Sequence, residues 1–126
     1  MKRVVFLSVL IMCTVSMMCF SNAKNAPSYF DVVIDMGYSD VEHEPYEIEY
    51  ITIPEEFGKV YMRYNEMLKK EGYDLSLYKG ERCIRYTYLI PSQNARANIL
   101  VHNGKIIGGD ICGITIDSIM IPIIKR

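Results

Sequence analysis

The chain contains no tryptophan, only two histidines and only four cysteines in its 126 residues. His43 and His102 stand far apart, and neither has a second ligand at metal spacing. Neither His-Glu-x-x-His nor Cys-x-x-Cys occurs, so zinc has no ligand set. The Gly-x-x-x-x-Gly-Lys-Ser/Thr loop that cradles phosphates is also missing, and no cofactor is implied. An excess of one charge is lacking too. Lys and Arg number 14 against 15 Asp and Glu, a net charge of -1, which leaves no electrostatic footprint for nucleic acid. There is no internal repeat and no low-complexity segment. Only one long apolar run is uncharged, which excludes a multi-span membrane protein. What remains is one domain at most, half hydrophobic and 23% charged, the balance of an ordinary globular chain.

The uncharged run opens the chain. Lys2 and Arg3 make a basic start, Val4 to Phe20 carries no charge, and Ser21-Asn22-Ala23 follows. Basic, apolar, small-x-small is the layout of a secretory signal peptide, with cleavage expected after Ala23. The run is slightly shorter than the roughly 20 apolar residues that span a bilayer. An uncleaved N-terminal anchor is the alternative, and it is the only membrane contact suggested. Cys13 and Cys19 follow Met12 and Met18 rather than the small residue that precedes a lipidated cysteine. They read as soft apolar members of the leader. The organisation is therefore a signal peptide over 1–23, a linker over 24–28 and a single domain over 29–126, exported to the cell envelope or beyond it.

Along the domain, Phe30, Val33 and Ile34 have helical spacing, with Gly37 as the stop. Residues Tyr46 to Ile53 alternate. Tyr46, Ile48 and Tyr50 share one side, while Glu47 and Glu49 point to a wet face. Thr52 and Glu55 form a capping-box pattern. Phe57, Val60, Tyr61, Tyr64, Met67 and Leu68 then recur at steps of three and four up to Gly72. That predicts a long amphipathic helix from about Pro54 to Glu71. Two runs rich in β-formers follow, Glu81 to Ile90 and Ala97 to His102. Asn103-Gly104 between apolar runs predicts a two-residue hairpin pairing His102 with Lys105 and Val101 with Ile106. The expected fold is α+β in the order α-β-α-β-β-β, an antiparallel sheet of about four strands against the long helix.

Few constellations could carry chemistry. With the leader gone, Cys83 and Cys112 remain. In an exported chain they are a disulfide candidate, with two free buried thiols as the alternative. A thiol enzyme would need Cys112 as nucleophile with His102 as base and Asp110 beside them. Gly108-Gly109-Asp110 is a candidate functional turn presenting a carboxylate, although paired glycines more often serve a bulge or close packing. From Asn25 to Gly58 there are nine acidic residues and no Lys or Arg. EF-hand spacing is absent, so the run reads as a solvated acidic face. Ten tyrosines supply the aromatic surface. Tyr61 and Tyr64 belong to the helix stripe, while Tyr86 and Tyr88 face either core or groove. The apolar tail Ile119 to Ile124 either docks as a last strand or stays open for a partner.

The blocks "TIPEEF", "VYMRYNEMLKKEGYDLSLYKG", "RYTY" and "RANILVHNGKIIGGDIC" resemble an exported bacterial family, domain of unknown function family 4830. The resemblance runs from about Met36 to Met120, with Gly108-Gly109-Asp110 and Cys112 its most specific part. It implies export and a compact α+β domain, and it assigns no catalytic residue. The sequence reading is a non-enzymatic binding or structural role outside the cell or at its envelope. The alternatives are a protein-binding inhibitor or sensor that uses a sheet edge or the C-terminal tail, and a small thiol enzyme at Cys112, Asp110 and His102.

Overall fold

The computed structural model describes residues 29–115 and 119–125. The segments expected to be a leader and a linker, and Asp117, lie outside the described residues. One antiparallel sheet takes its strands in chain order: β1 (Glu47–Thr52), β2 (Arg82–Ile90), β3 (Ala95–His102), β4 (Lys105–Gly113) and β5 (Met120–Pro122). Among the described residues two helices accompany it, α1 (Phe30–Asp35) and α2 (Lys59–Lys69), with short 3-10 turns at Leu75–Tyr78 and Pro91–Gln93. No helix of the described residues is long and apolar enough to cross a membrane.

The architecture corrects the expected fold class twice. The sheet has five strands rather than about four, and the helix has 11 residues and does not run from Pro54 to Glu71. The helix starts late because Ile53 is fully buried and its backbone is already spoken for. Its N–H donates to the Glu81 carbonyl at 2.9 Å, and its own carbonyl accepts from the Gly80 N–H at 2.7 Å. Those bonds prolong the β1 ladder past Thr52, so the capping box does not form. Gly58 becomes the N-cap instead, with no side-chain cap bond. The fifth strand comes from the tail. Ile121 stands opposite Ile111, and Ile123 is fully buried, its N–H donating to the Gly109 carbonyl at 3.1 Å. Pro122 is tolerated because β5 is an edge strand, where a missing donor breaks no inner ladder.

The Asn-Gly hairpin forms in the expected register. Asn103 and Gly104 have φ of 49° and 77°, the left-handed pair that a two-residue turn of this kind requires, and His102 pairs with Lys105 and Val101 with Ile106. Leu100 then pairs with Gly108, so Ile107 is the extra residue of a β-bulge.

Strand alternation gives the sheet two unlike faces. Tyr86, Tyr88 and Ile90 look toward the N-terminal segment. The Tyr29 ring lies 4.9 Å from Tyr86, and Val32 and Val33 of α1 are buried in the same core. The opposite face, with Arg85, Asn98, Leu100 and Asp110, lies beneath α2. Leu68 of α2 is fully buried, and a Cβ on Gly108 would stand 2.7 Å from its Cδ1. Glycine at that position lets the helix come down onto the sheet.

At β1 the side expected to be dry is open to solvent. Tyr46, Ile48 and Tyr50 are 62%, 56% and 62% exposed. Glu49, on the other side, turns toward the α2 face and forms an ion pair with Arg85, directly opposite it on β2.

Candidate functional site

The α2 face of the sheet and the helix do not close on each other completely. Between them is a pocket of about 500 Å³, a volume within the common range for small-molecule sites. Its walls are mostly apolar: Ile51 from β1, Val60, Tyr61 and Met67 from α2, Leu100 from β3 and Met120 from β5. Its polar groups are Arg85, Asn98, Asp110 and Tyr64, with Arg63 exposed at the rim.

The register explains why these polar groups meet. Thr87, Asn98 and Asp110 are opposite one another on three consecutive strands, so their side chains share a face. The Thr87 hydroxyl donates to Asn98 Oδ1 at 2.9 Å, and Asn98 Nδ2 donates to Asp110 Oδ2 at 3.2 Å. From above, the Tyr64 hydroxyl donates to Asp110 Oδ1 at 2.6 Å. Asp110 is only 4% exposed, and burial pushes its carboxyl above the usual aspartate range. The bonds from Tyr64 and Asn98 and the nearby Arg85 charge oppose that rise without cancelling it. Tyr64 is driven far above the usual tyrosine range, by burial first and the Asp110 charge second. It therefore stays protonated and available to donate.

Arg85 is the unfinished member of the site. Its Nη2 donates to Glu49, while its Nε is buried and has no hydrogen-bond partner. Buried donors are rarely left unmet, and an unmet one costs about 1–3 kcal/mol.

The candidate residues from the sequence fall as follows. Gly108, Gly109 and Asp110 form the middle of β4 rather than a turn. Cys112 lies on the Asp110 side and accepts a long contact from Asn98 Nδ2 at 3.7 Å. His102 does not join them. Its Nδ1 lies 3.1 Å from the Arg82 carbonyl and its ring packs on Tyr78. Cys112 is opposite Arg96, six residues from His102 along β3, or about 20 Å at the rise of a strand. Cys83 and Cys112 are both free thiols. Cys83 neighbours Ile84, which is level with Val101, while Cys112 is level with Arg96. That separation of roughly 15–20 Å along the strands is far beyond disulfide reach. Burial pushes both thiols up, and the Asp110 charge pushes Cys112 up further. Both should therefore resist alkylation near pH 7 and react once urea unfolds the chain, read cysteine by cysteine by peptide mass spectrometry. Rapid labelling of native Cys112 would show an activated thiol and contradict this. Among the described residues no group of three His, Cys, Asp or Glu side chains could hold a metal ion.

Sequence reading missed Arg85 and Asn98. The signal was present: Cys83, Arg85 and Thr87 alternate with Ile84, Tyr86 and Tyr88, which marks a strand with a polar side. In a strand covered by a helix, that side must find partners. It also missed Asn65, buried in α2, which donates to Asp74 Oδ1 at 3.0 Å and accepts from the Leu75 N–H at 2.7 Å. That side chain ties the helix to the 3-10 turn and so holds the roof of the pocket.

No curated protein and no solved structure matches this chain. The family model described as Domain of unknown function (DUF4830) matches residues 34–111, a span that holds β1, α2, β2, β3, and the pocket's Arg85 and Asp110, and the chain belongs to that family.

Proposed function

We propose that the chain is an exported, non-enzymatic binding domain of the cell envelope or its exterior, and that the pocket under α2 is its binding site. The observation that carries this reading is an apolar pocket of about 500 Å³ whose floor holds a nearly completed polar network. Asp110 holds its two donors in place, the thiol beside it is raised rather than activated, and His102 is at the far end of β3. Such a floor orients a ligand and offers it no attacking group. Support for export is the basic, apolar and small-residue order of residues 1–23.

The test has two readings on one expressed chain. Fractionation should recover it outside the cytoplasm, with an N-terminus at Lys24. The purified protein should bind the neutral dye N-phenyl-1-naphthylamine saturably at one site. Met67→Trp, which fills the pocket from α2, should weaken that binding by about tenfold or more while the melting temperature holds. A cytoplasmic product that retains residues 1–23 overturns export. Dye binding indifferent to Met67→Trp overturns the pocket.

A further inference from the structure

We infer that the outer edge of β1 takes up an extended basic peptide as an added antiparallel strand. β1 and β5 are the two edges of the sheet. Along β5 the Ile123 N–H turns inward to the Gly109 carbonyl, so by alternation Met120 and Pro122 turn their backbone groups outward. Pro122 has no N–H to offer there, and β5 spans only three residues. Along β1 the Ile53 N–H turns inward to the Glu81 carbonyl. The same alternation aims the N–H and C=O groups of Ile48, Tyr50 and Thr52 away from β2. β1 has six residues, with neither proline nor lysine among them. Among the described residues no strand pairs with its outer side. One edge is blunted and the other is left open to a strand.

The side chains beside that edge fix the partner's chemistry. An antiparallel strand puts each side chain on the face of the β1 residue opposite it. On one face it meets the exposed Tyr46, Ile48 and Tyr50, which suit apolar residues. On the other it meets Glu47, with Glu42 and Glu44 just before it in the chain. These three carboxylates are exposed and have no ion-pair partner among the described residues, whereas Glu49 already has Arg85. Arg82 stands over the Tyr50 ring at 4.8 Å, so the partner's positive charge belongs at the Glu47 end. A segment that alternates basic and apolar residues satisfies both faces. A second copy presenting its own β1 would set like charges against these carboxylates, which disfavours self-pairing.

The experiment titrates the purified protein into a fluorescein-labelled heptapeptide, Lys-Val-Lys-Val-Lys-Val-Lys, at low salt, and follows anisotropy. Saturable one-to-one binding is expected, and glutamate in place of lysine should weaken it by about tenfold or more. Two further peptides separate a strand from charge alone. In an antiparallel pairing the valine backbone groups face Ile48 and Tyr50, while those of the lysines point away. N-methylation of the valines should therefore cost about tenfold or more, and N-methylation of the lysines should leave binding unchanged. Ile48→Pro removes an outward donor without touching the β2 ladder, and it should abolish binding while the melting temperature nearly holds. If that variant unfolds, the two methylated peptides decide the matter on the wild type. Failure of the lysine peptide to bind, or equal effects of the two methylations, would overturn the added strand. Equal binding of the glutamate peptide would overturn the basic partner. A dimer of the protein that Ile48→Pro separates would make the edge a contact between copies and overturn the inference as well.

Discussion

Gly109→Ala is expected to cost about 3–5 kcal/mol, enough to unfold most of the chain at moderate temperature. Gly109 has φ of 152°, and a Cβ there would run into the backbone carbonyl oxygen of Asn98 on the neighbouring strand. It would also stand 2.9 Å from Ile123 Cδ1, the buried anchor of β5. Neither neighbour can yield cheaply, because the first is ladder backbone and the second is fully enclosed. Gly108→Ala makes a useful comparison. Its Cβ would meet the far end of the Leu68 side chain at 2.7 Å, and a rotamer change can absorb part of that. Urea unfolding should therefore rank the two variants, with Gly109→Ala much the worse. A Gly109→Ala midpoint within about 1 kcal/mol of the wild type would mean that β3 and β4 are not as closely laid as the structure has them.

That glycine pair shows how far the sequence could be read. Paired glycines announced a bulge or a close approach, and both occur: the bulge at Ile107 and the descent of Leu68 onto Gly108. The Asn103-Gly104 hairpin was legible to the exact pairing because a two-residue turn fixes register locally. The helix start was not legible. Thr52 and Glu55 satisfy a local capping rule, but Ile53 is held by Gly80 and Glu81, nearly thirty residues downstream. No local pattern reports a bond of that range. β1 failed for the same reason: Glu49 meets Arg85 across the strand pair, a partner far off in sequence, and the tyrosines are left outside. The candidate site was half legible. Asp110 stood out through the glycines before it, whereas Arg85 and Asn98 lay in runs that advertised only strand formation. Their meaning came from the register of three strands beneath one helix. The expected grouping of Cys112, Asp110 and His102 was drawn from nearness in sequence. Along an extended strand, that nearness turns into distance.

The Asp110 carboxyl should impose a pH dependence opposite in sign to that of most structural carboxylates. Asp110→Ala is expected to cost about 2–4 kcal/mol near neutral pH, since it strands the Tyr64 hydroxyl and one Asn98 N–H in a buried place. Asp110→Asn separates the charge from the bonds. Burial raises the folded-state affinity of Asp110 for its proton above that of the unfolded chain. The folded state therefore binds the proton more firmly, and the stability this contributes is complete below the unfolded value of about 3.9. It is lost as pH rises through the raised folded value. Asp74 behaves in the usual way, held to about 2 by Asn65 and Ser76, so its contribution is present above the ordinary aspartate range and lost only in strong acid. Asp74 is common to wild type and Asp110→Asn, so it cancels in the comparison. The amide's own mismatch with Asn98 does not depend on pH and shifts the difference by a constant. Urea unfolding of both proteins from pH 4 to 8 should then show the wild type losing ground to Asp110→Asn as pH rises. A difference that stays flat would mean that Tyr64, Asn98 and Arg85 together balance the cost of burying the charge, and one that moves in favour of the wild type that they outweigh it. The floor of the pocket would then hold a fully stabilised carboxylate rather than a reluctant one.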